Sequence, residues 1–329
     1  MVKIAIVGAG GIASQHIQCL MSIKEARIAA VVDAVPERAQ RAAEQCGARA
    51  YDKLESCLDT VDAVYVLTPP KSHVGLCLEV IQAGKHLFVE KPLADTVEHA
   101  ETIVSAADQA GIKAMTAFNM RFRKGFRRLK EVFDSGVLGE PVSYWCQRLG
   151  IGVGNEPNWR TTQGQIVGMT VESLSHDIDL IRWMLGDVRG VATRLSFTRP
   201  ELPAFDDHAS ALFKLESGAS AVIHASWSSH LGLNSRGIVG TNGTALVEGD
   251  GLWELTRFRL KTNDMEYEVT EKLNDLDNRP SYFDENVAFI ESIVRGKPLP
   301  ATLQDGLQAV RIAEAMHRSH RDQREIELS

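Results

Sequence analysis

Val2-Lys3-Ile4-Ala5-Ile6-Val7-Gly8-Ala9-Gly10-Gly11-Ile12-Ala13 is the stretch whose reading decides the fold. Its first six residues are almost wholly apolar, as expected of a strand buried on both faces. The glycine-rich loop follows at once and opens what reads as a helix from Gly11 to Met21. Gly8 permits the tight turn, Gly10 lets the backbone approach a pyrophosphate, and Ala13 is small enough for close helix–strand packing. The first N–H groups of such a helix have no intrahelical partner and face an anion. Asp33 lies 20 residues past Ala13, at the end of the next apolar run. A carboxylate there can accept both ribose hydroxyls of a dinucleotide and would repel a 2'-phosphate. The expected cofactor is therefore NAD in preference to NADP, with Arg38 the one residue that tempers the choice.

Downstream, strand and helix alternate. Strands are expected at Arg27–Val32, Ala48–Tyr51, Val61–Leu67, Leu87–Val89 and Lys113–Phe118, with helices at Pro36–Gln45, His73–Ala83 and Thr96–Ala110. Successive βα units imply a doubly wound parallel sheet. After a helix at Lys124–Asp134 the pattern changes to strand-like runs joined by short turns, from Val142–Arg148 to Glu266–Thr270. Thr241-Asn242-Gly243 is a hairpin signal, since Asn-Gly readily takes positive φ. The second half thus reads as an α/β domain with an open, mostly antiparallel sheet. Two helices finish the chain, Tyr282–Arg295 and Asp305–Ser319. The expected domains are 1–119 and 120–329, with the helix 305–319 a candidate to pack back on the first.

The 329 residues suit two cores better than one. A formal net charge of -7 argues against polyanion binding, because nucleic-acid modules carry a basic patch or stripe. The local basic run Arg121–Lys130 reads as the solvated face of an amphipathic helix. Five widely spaced cysteines, with no C-x-x-C pair, read as reduced structural thiols. No apolar run approaches the ~18 residues of a membrane span, and Met1 leads straight into a strand, so a cytoplasmic protein without a signal peptide is expected.

Two clusters point to chemistry. Glu90-Lys91-Pro92 follows a strand of the first sheet, and open α/β sheets bind ligands at the carboxyl ends of their strands. Glu90 could pair with Lys91, and Pro92 restricts Lys91 to an extended backbone. The second cluster is Glu172-Ser173-Leu174-Ser175-His176-Asp177-Ile178-Asp179. Helical spacing allows Glu172, His176 and Asp179 to converge, and Ser173 or Ser175 could cap the helix. The bland reading is a capped helix start with a satisfied histidine. The sharper one is imidazole plus carboxylate, which takes a proton from an alcohol as hydride leaves carbon. A metal is not expected, because no second histidine stands at ligand spacing. Thr68-Pro69-Pro70 is either a proline strand stop or a stretch of backbone lining the nicotinamide ribose.

In order, the glycine loop, Asp33, Thr68-Pro69-Pro70 with His73, Glu90-Lys91-Pro92, Asn119-Met120-Arg121-Phe122, Asn158-Trp159-Arg160 and His176-x-x-Asp179 resemble the glucose–fructose oxidoreductase/inositol dehydrogenase/rhizopine-catabolism (Gfo/Idh/MocA) family over nearly the whole chain. The resemblance implies a Rossmann domain, a C-terminal domain that often forms homodimers or homotetramers through its sheet, and hydride transfer between NAD and a hydroxyl or carbonyl of a sugar, cyclitol or related polyol. It implies Lys91, His176 and Glu172 as catalytic groups. Asp179, Asn119, Arg121, Trp159 and Arg160 would lie near substrate. Gly8, Gly10, Gly11, Ile12, Ala13, Asp33, Arg38, Thr68, Pro69, His73, Glu90 and Lys91 would hold the cofactor. Many members carry aspartate where this chain has Glu172, so the carboxylate is kept with a reach one methylene longer. Substrate choice is expected in the loop 150–168, in Trp227–Leu233 and in Phe205–His208. Two other readings are a dinucleotide-binding regulator without turnover, and a glycosidase that oxidises its sugar transiently.

Overall fold

The structure, a computed structural model, describes residues 1–152, 159–162 and 164–328. Asn158 of the motif series, and part of the loop 150–168, lie outside the described residues. The chain divides into two compact units, Met1–Asn119 with Arg279–Val310 and Met120–Asn278 with Arg311–Ser329. Arg279–Val310 thus join the first unit; of these, the sequence reading anticipates only the start of the helix 305–319.

The first unit is built on six parallel strands: β1 (Val2–Val7), β2 (Ala26–Val32), β3 (Arg49–Tyr51), β4 (Ala63–Val66), β5 (His86–Glu90) and β6 (Ala114–Ala117). Helices α1 (Gly11–Leu20), α2 (Pro36–Cys46), α3 (His73–Gln82) and α4 (Val97–Ala110) connect them. The strand order is β3-β2-β1-β4-β5-β6, so the winding reverses between β1 and β4. That reversal opens a crevice at the strand ends, where Gly8, Thr68 and Lys91 lie. The near-continuous apolar runs of β1, β4 and β5 are explained by burial on both faces.

The second unit contains α5 (Lys124–Asp134), β7 (Pro141–Ile151), α6 (Gly168–Glu172), α7 (Ser175–Leu185), β8 (Val188–Ser196), β9 (His208–Leu215), β10 (Ser220–Ser226), β11 (Ser228–Gly240), β12 (Gly243–Gly249), β13 (Leu255–Thr262) and β14 (Val269–Asp275). With β15 (Ile326–Glu327) they make a nine-stranded open sheet in the order β14-β13-β12-β11-β7-β10-β9-β8-β15. Its neighbours are antiparallel except β7 and β10, which run parallel. Alternation along β7 turns Tyr144, Cys146 and Arg148 to one buried face. Arg236 of β11 lies opposite Cys146, and Asn234 opposite Arg148. Helix α7 packs on β7, and α5 covers β12, β13 and β14.

Two local expectations change. The β11–β12 hairpin forms, yet neither Asn242 nor Gly243 has positive φ. The tip is held from outside: Asn242 N donates to Leu138 O at 2.8 Å and Asn242 Nδ2 to Val137 O at 3.0 Å. Gly243 is needed because a Cβ there would sit 2.8 Å from Lys261 O of the next strand. The basic run is a solvated face only within α5, where Lys124 and Arg127 are exposed. Arg121 and Arg123 are buried on Asp179 and Asp275, and Arg128 pairs with Glu271.

Helix α8 (Arg279–Arg295) packs on α1 of the first unit. Its Phe289 stands edge-on to Tyr65 at 5.5 Å and Phe88 at 5.4 Å, which stack on each other at 4.4 Å. This aromatic cluster is the physical reason the segment belongs with the first sheet. The last helix, α9 (Leu303–Asp322), contributes Leu303 and Leu307 to the same unit's core. Its later residues belong to the second unit, where Ser319 Oγ accepts from Thr193 N at 2.9 Å. Among the described residues, no helix is long and apolar enough to cross a membrane.

Candidate active site

In the first unit, Gly8 has φ +93°, and a Cβ there would meet Leu67 O at 2.6 Å and Thr68 Cγ2 at 2.9 Å. Only glycine allows the loop to turn against the end of β4. Thr68-Pro69 is therefore part of the wall of the loop. Gly10 is the N-cap of α1 and makes no side-chain cap, which leaves the first N–H groups of the helix to an outside acceptor. A Cβ added at Gly10 or Gly11 would meet nothing within 4 Å. Both positions border a cleft of about 300 Å³, lined also by Ala9, Ser14, Arg38, Arg41 and Gln45. Ala13 is fully buried against the sheet and Ile12 borders the loop as partly buried. An open, uncapped, cation-flanked helix start fits a pyrophosphate.

Asp33 does two things. Its Oδ2 accepts from Ala9 N at 2.7 Å and its Oδ1 from Val35 N at 2.8 Å. It thereby ties the glycine loop to the start of α2. A carboxylate has about four lone-pair sites, so two remain for ribose hydroxyls. Asp33→Ala is expected to weaken NAD binding about 10–100-fold, from the loss of charge-assisted hydrogen bonds worth ~1.5–3 kcal/mol. NADP binding should fall far less, because the repulsion goes too. Titration calorimetry with both dinucleotides checks this, and equal losses for the two would refute it.

At the end of β5, Glu90 is buried. Its Oε2 accepts from the backbone N of Lys91 at 3.0 Å, and its Oε1 faces His16 Nε2 at 3.3 Å. The Lys91–Pro92 peptide is cis. His73, placed among the cofactor residues by sequence, is fully buried. Its Nε2 lies 2.8 Å from Thr68 O, and its Nδ1 3.0 Å from Pro92 O. Burial lowers its pKa against the pull of those carbonyls and of Glu90, and the ring braces two strand ends. Asn119 Nδ2 donates to Ser281 Oγ at 3.2 Å within this unit.

In the second unit, the Glu172–Asp179 stretch is held by arginines. Helix α6 ends at Glu172 and α7 starts at Ser175, so the expected single helical face is broken between them. Neither serine caps α7. Ser173 Oγ accepts from Arg148 Nη2 at 2.8 Å, and Ser175 Oγ donates back to Glu172 O at 3.0 Å. Asp179 is fully buried and takes Arg121 through two bonds, Nε to Oδ2 at 2.8 Å and Nη2 to Oδ1 at 2.5 Å. Two residues assigned by resemblance to substrate are thus paired with each other. Glu172 Oε1 accepts from Arg160 Nη2 at 2.9 Å, and Arg160 lies 4.5 Å over the Trp159 ring.

Asp177 anchors the inner side of the same helix. Arg236 gives it Nε at 2.9 Å and Nη2 at 2.6 Å, both to Oδ1, and Arg148 Nη2 lies 2.9 Å from Oδ2. All three side chains are at most 1% exposed. Burial alone would raise the Asp177 pKa, but the two guanidinium groups outweigh it and hold the carboxyl below its usual range. Burial draws Arg148 down, whereas Arg236, with two bonds to Asp177, is raised in spite of burial. Sequence reasoning missed this triad, although Arg148 continues the Tyr144, Cys146 alternation onto the buried face. The Phe205–His208 segment, expected to select substrate, includes buried braces for α6. Asp206 O accepts from Met169 N, and Asp206 Oδ2 from Thr170 N, both at 2.8 Å. The buried Trp227 ring stacks on Phe205 at 5.9 Å.

The loop, the uncapped helix and Asp33 define an α/β protein with a dinucleotide-binding site. Comparison with known proteins extends that definition. Residues 2–118 match the model described as the oxidoreductase family with an NAD-binding Rossmann fold, and residues 126–246 match the GFO/IDH/MocA C-terminal domain. An inositol 2-dehydrogenase of Serratia proteamaculans is 30% identical over 95% of this chain and 92% of its own length. An uncharacterized oxidoreductase of Bacillus subtilis, YrbE, is 28% identical over 95% of this chain and 93% of its own. Among solved structures, GenD2 of gentamicin A biosynthesis in complex with NAD is 27% identical, with a TM-score of 0.86 over 100% of this chain and 96% of that one. The chain belongs to the Gfo/Idh/MocA family of NAD-binding oxidoreductases.

Proposed function

We propose that the protein is an NAD-dependent dehydrogenase that transfers hydride from a CH–OH carbon of a sugar, cyclitol or related polyol. The observation that carries this reading is the immobilised helix under His176. Its neighbours Ser173, Asp177 and Asp179 are held by Arg148, Arg236 and Arg121, and Glu172 by Arg160. A general base gains from a fixed direction, because proton transfer needs hydrogen-bond reach to the reacting hydroxyl.

NAD, when bound, supplies the acceptor for hydride. The uncapped N–H groups of α1 and the carboxylate of Asp33 hold it. His176 takes the hydroxyl proton, with Glu172 setting the run that leads into it. The proposed role of Lys91 is to donate to a substrate oxygen and stabilise the negative charge that develops on it. Trp159 and Arg160, stacked on each other, border substrate on the side of Glu172. The related inositol 2-dehydrogenase supports a polyhydroxylated ring as the substrate class. Val222 and Leu212 lie opposite each other on β10 and β9, and both are exposed. Their exposure supports a homodimer or homotetramer built on this sheet, which light scattering would measure.

The deciding experiment is a panel of cyclitols, aldoses and sugar acids with NAD and with NADP, read by reduced-nicotinamide absorbance. Reduction with at least one member is expected, and faster with NAD. A panel without reduction by any polyol and without sugar release from glycosides, together with tight NAD binding, would replace this reading by a dinucleotide sensor.

A further inference from the structure

Behind Lys91 stands a chain of buried polar groups that the reaction itself does not use. His16 is on α1, on the face formed by Ala13, Ile17 and Leu20, and is fully buried. Its ring lies edge-on to Phe88 at 5.2 Å, Tyr282 at 5.4 Å and Tyr65 at 6.0 Å. A polar ring in an aromatic box costs stability unless both nitrogens find partners, and both do. Nδ1 meets the side-chain amide of Asn286, on α8, and Nε2 meets Glu90 Oε1 at 3.3 Å.

Asn286 Nδ2 lies 2.6 Å from Tyr282 O and 2.9 Å from His16 Nδ1. A backbone carbonyl only accepts, so the atom facing it is the NH2 group and not the amide oxygen. The same NH2 group then donates its second hydrogen to His16 Nδ1. A neutral imidazole whose Nδ1 accepts carries its proton on Nε2. That proton points at Glu90 Oε1, and the other oxygen, Oε2, accepts from Lys91 N at 3.0 Å. The five groups form one hydrogen-bonded series, with Asn286 donating to the Tyr282 carbonyl and to His16, and Glu90 accepting from His16 and from the backbone of Lys91.

We propose that His16 and Asn286 are positioning residues for Lys91: Asn286 fixes the tautomer of His16, His16 fixes Glu90, and Glu90 fixes the backbone from which the Lys91 ammonium is aimed. The proposal rests on the reading of Lys91 as a group that contacts the reacting oxygen. Two strand-end turns are braced in the same region, since His73 links Thr68 O to Pro92 O. His73 secures the residue after Lys91, and Glu90 the residue itself. Without the His16 donor, Glu90 loses the partner that selects its rotamer, and the Lys91 amide loses a fixed acceptor. A misplacement of about 1 Å at a reacting group costs about 10²-fold in rate.

The test compares wild type, His16→Phe, His16→Gln, Lys91→Ala and the double variant His16→Phe/Lys91→Ala. Phenylalanine keeps the ring volume and removes the donor, and glutamine returns an N–H near the position of Nε2. Expected for His16→Phe are a kcat loss of about 10–100-fold and an NAD Kd within about threefold of wild type. His16→Gln should recover most of the rate. In the Lys91→Ala background, His16→Phe should cost nothing further, which a merely structural role would not produce. Hydrogen exchange over the peptide containing Lys91 gives a readout that needs no substrate. Exchange there should accelerate in His16→Phe and return with His16→Gln.

Unchanged exchange and unchanged turnover in His16→Phe would overturn the proposal, as would the same fold loss in both backgrounds. If Lys91→Ala keeps wild-type turnover, the role of Lys91 fails instead, while exchange still reports whether His16 holds its backbone. If His16→Phe does not fold, Asn286→Leu takes its place with the same expectations.

Discussion

Asp177→Asn is expected to destabilise the second unit by about 3–5 kcal/mol, the cost of breaking a buried ion cluster from one side. Asparagine leaves one oxygen to accept, but its NH2 group must then face a guanidinium that can only donate. Two arginine charges at 1% exposure each would be left without a counter-charge. For a unit of this size the loss corresponds to a melting shift of about 6–20 °C. The pH dependence has a definite sign. Because the folded-state pKa of Asp177 is depressed, its contribution is complete above the ordinary carboxylate value of about 3.9. It is lost as pH falls through the lower folded value. Wild type and variant should therefore differ fully at pH 7 and converge on acidification below about pH 4. Thermal denaturation at several pH values checks both statements. A variant that melts within about 2 °C of wild type at pH 7 would show that the triad is not a stabilising unit.

His176→Ala is expected to lower turnover by about 10²–10⁴-fold, the usual contribution of a positioned general base. The fold should survive, because the helix is anchored through Ser173, Asp177 and Asp179. NAD affinity should stay near wild type, since the groups assigned to the cofactor are in the other unit. Steady-state kinetics on a substrate found by the polyol panel, beside calorimetric NAD binding, separates the two effects. Turnover within about tenfold of wild type would remove His176 from the proton-transfer role.

The fold was legible where one period dominates. The apolar runs of β1, β4 and β5, each followed by a glycine or proline stop, gave the parallel sheet and its strand ends. The alternating runs after residue 140 gave the second sheet, though not the parallel pairing of β7 with β10, which no local pattern encodes. Membership of Arg279–Arg295 in the first unit also escaped, because it depends on Phe289 meeting Tyr65 and Phe88 some 200 residues away in the chain. In the site, Gly8, Gly10 and Asp33 were legible since each answers a local geometric demand. The partners of Glu172 and Asp179 were not. Arg160 and Arg121 could be named as nearby, but spacing does not reveal that a charge is already neutralised by another. His73 and His16 look alike in sequence, as single histidines on helices, and only the carbonyls and carboxylate around them tell a brace from a relay.

Asp33 closes the glycine loop with one pair of lone pairs and leaves the other pair open. Cofactor preference and loop integrity are therefore one trait in this chain. A change that admits a 2'-phosphate by deleting the carboxylate also releases Ala9 N and Val35 N, so evolution or design towards NADP must first rebuild an acceptor for them. A neutral side chain that still accepts at that point, such as serine or asparagine, is the narrow passage between the two cofactors. Preference here is guarded both by repulsion and by the second task the same two oxygens perform.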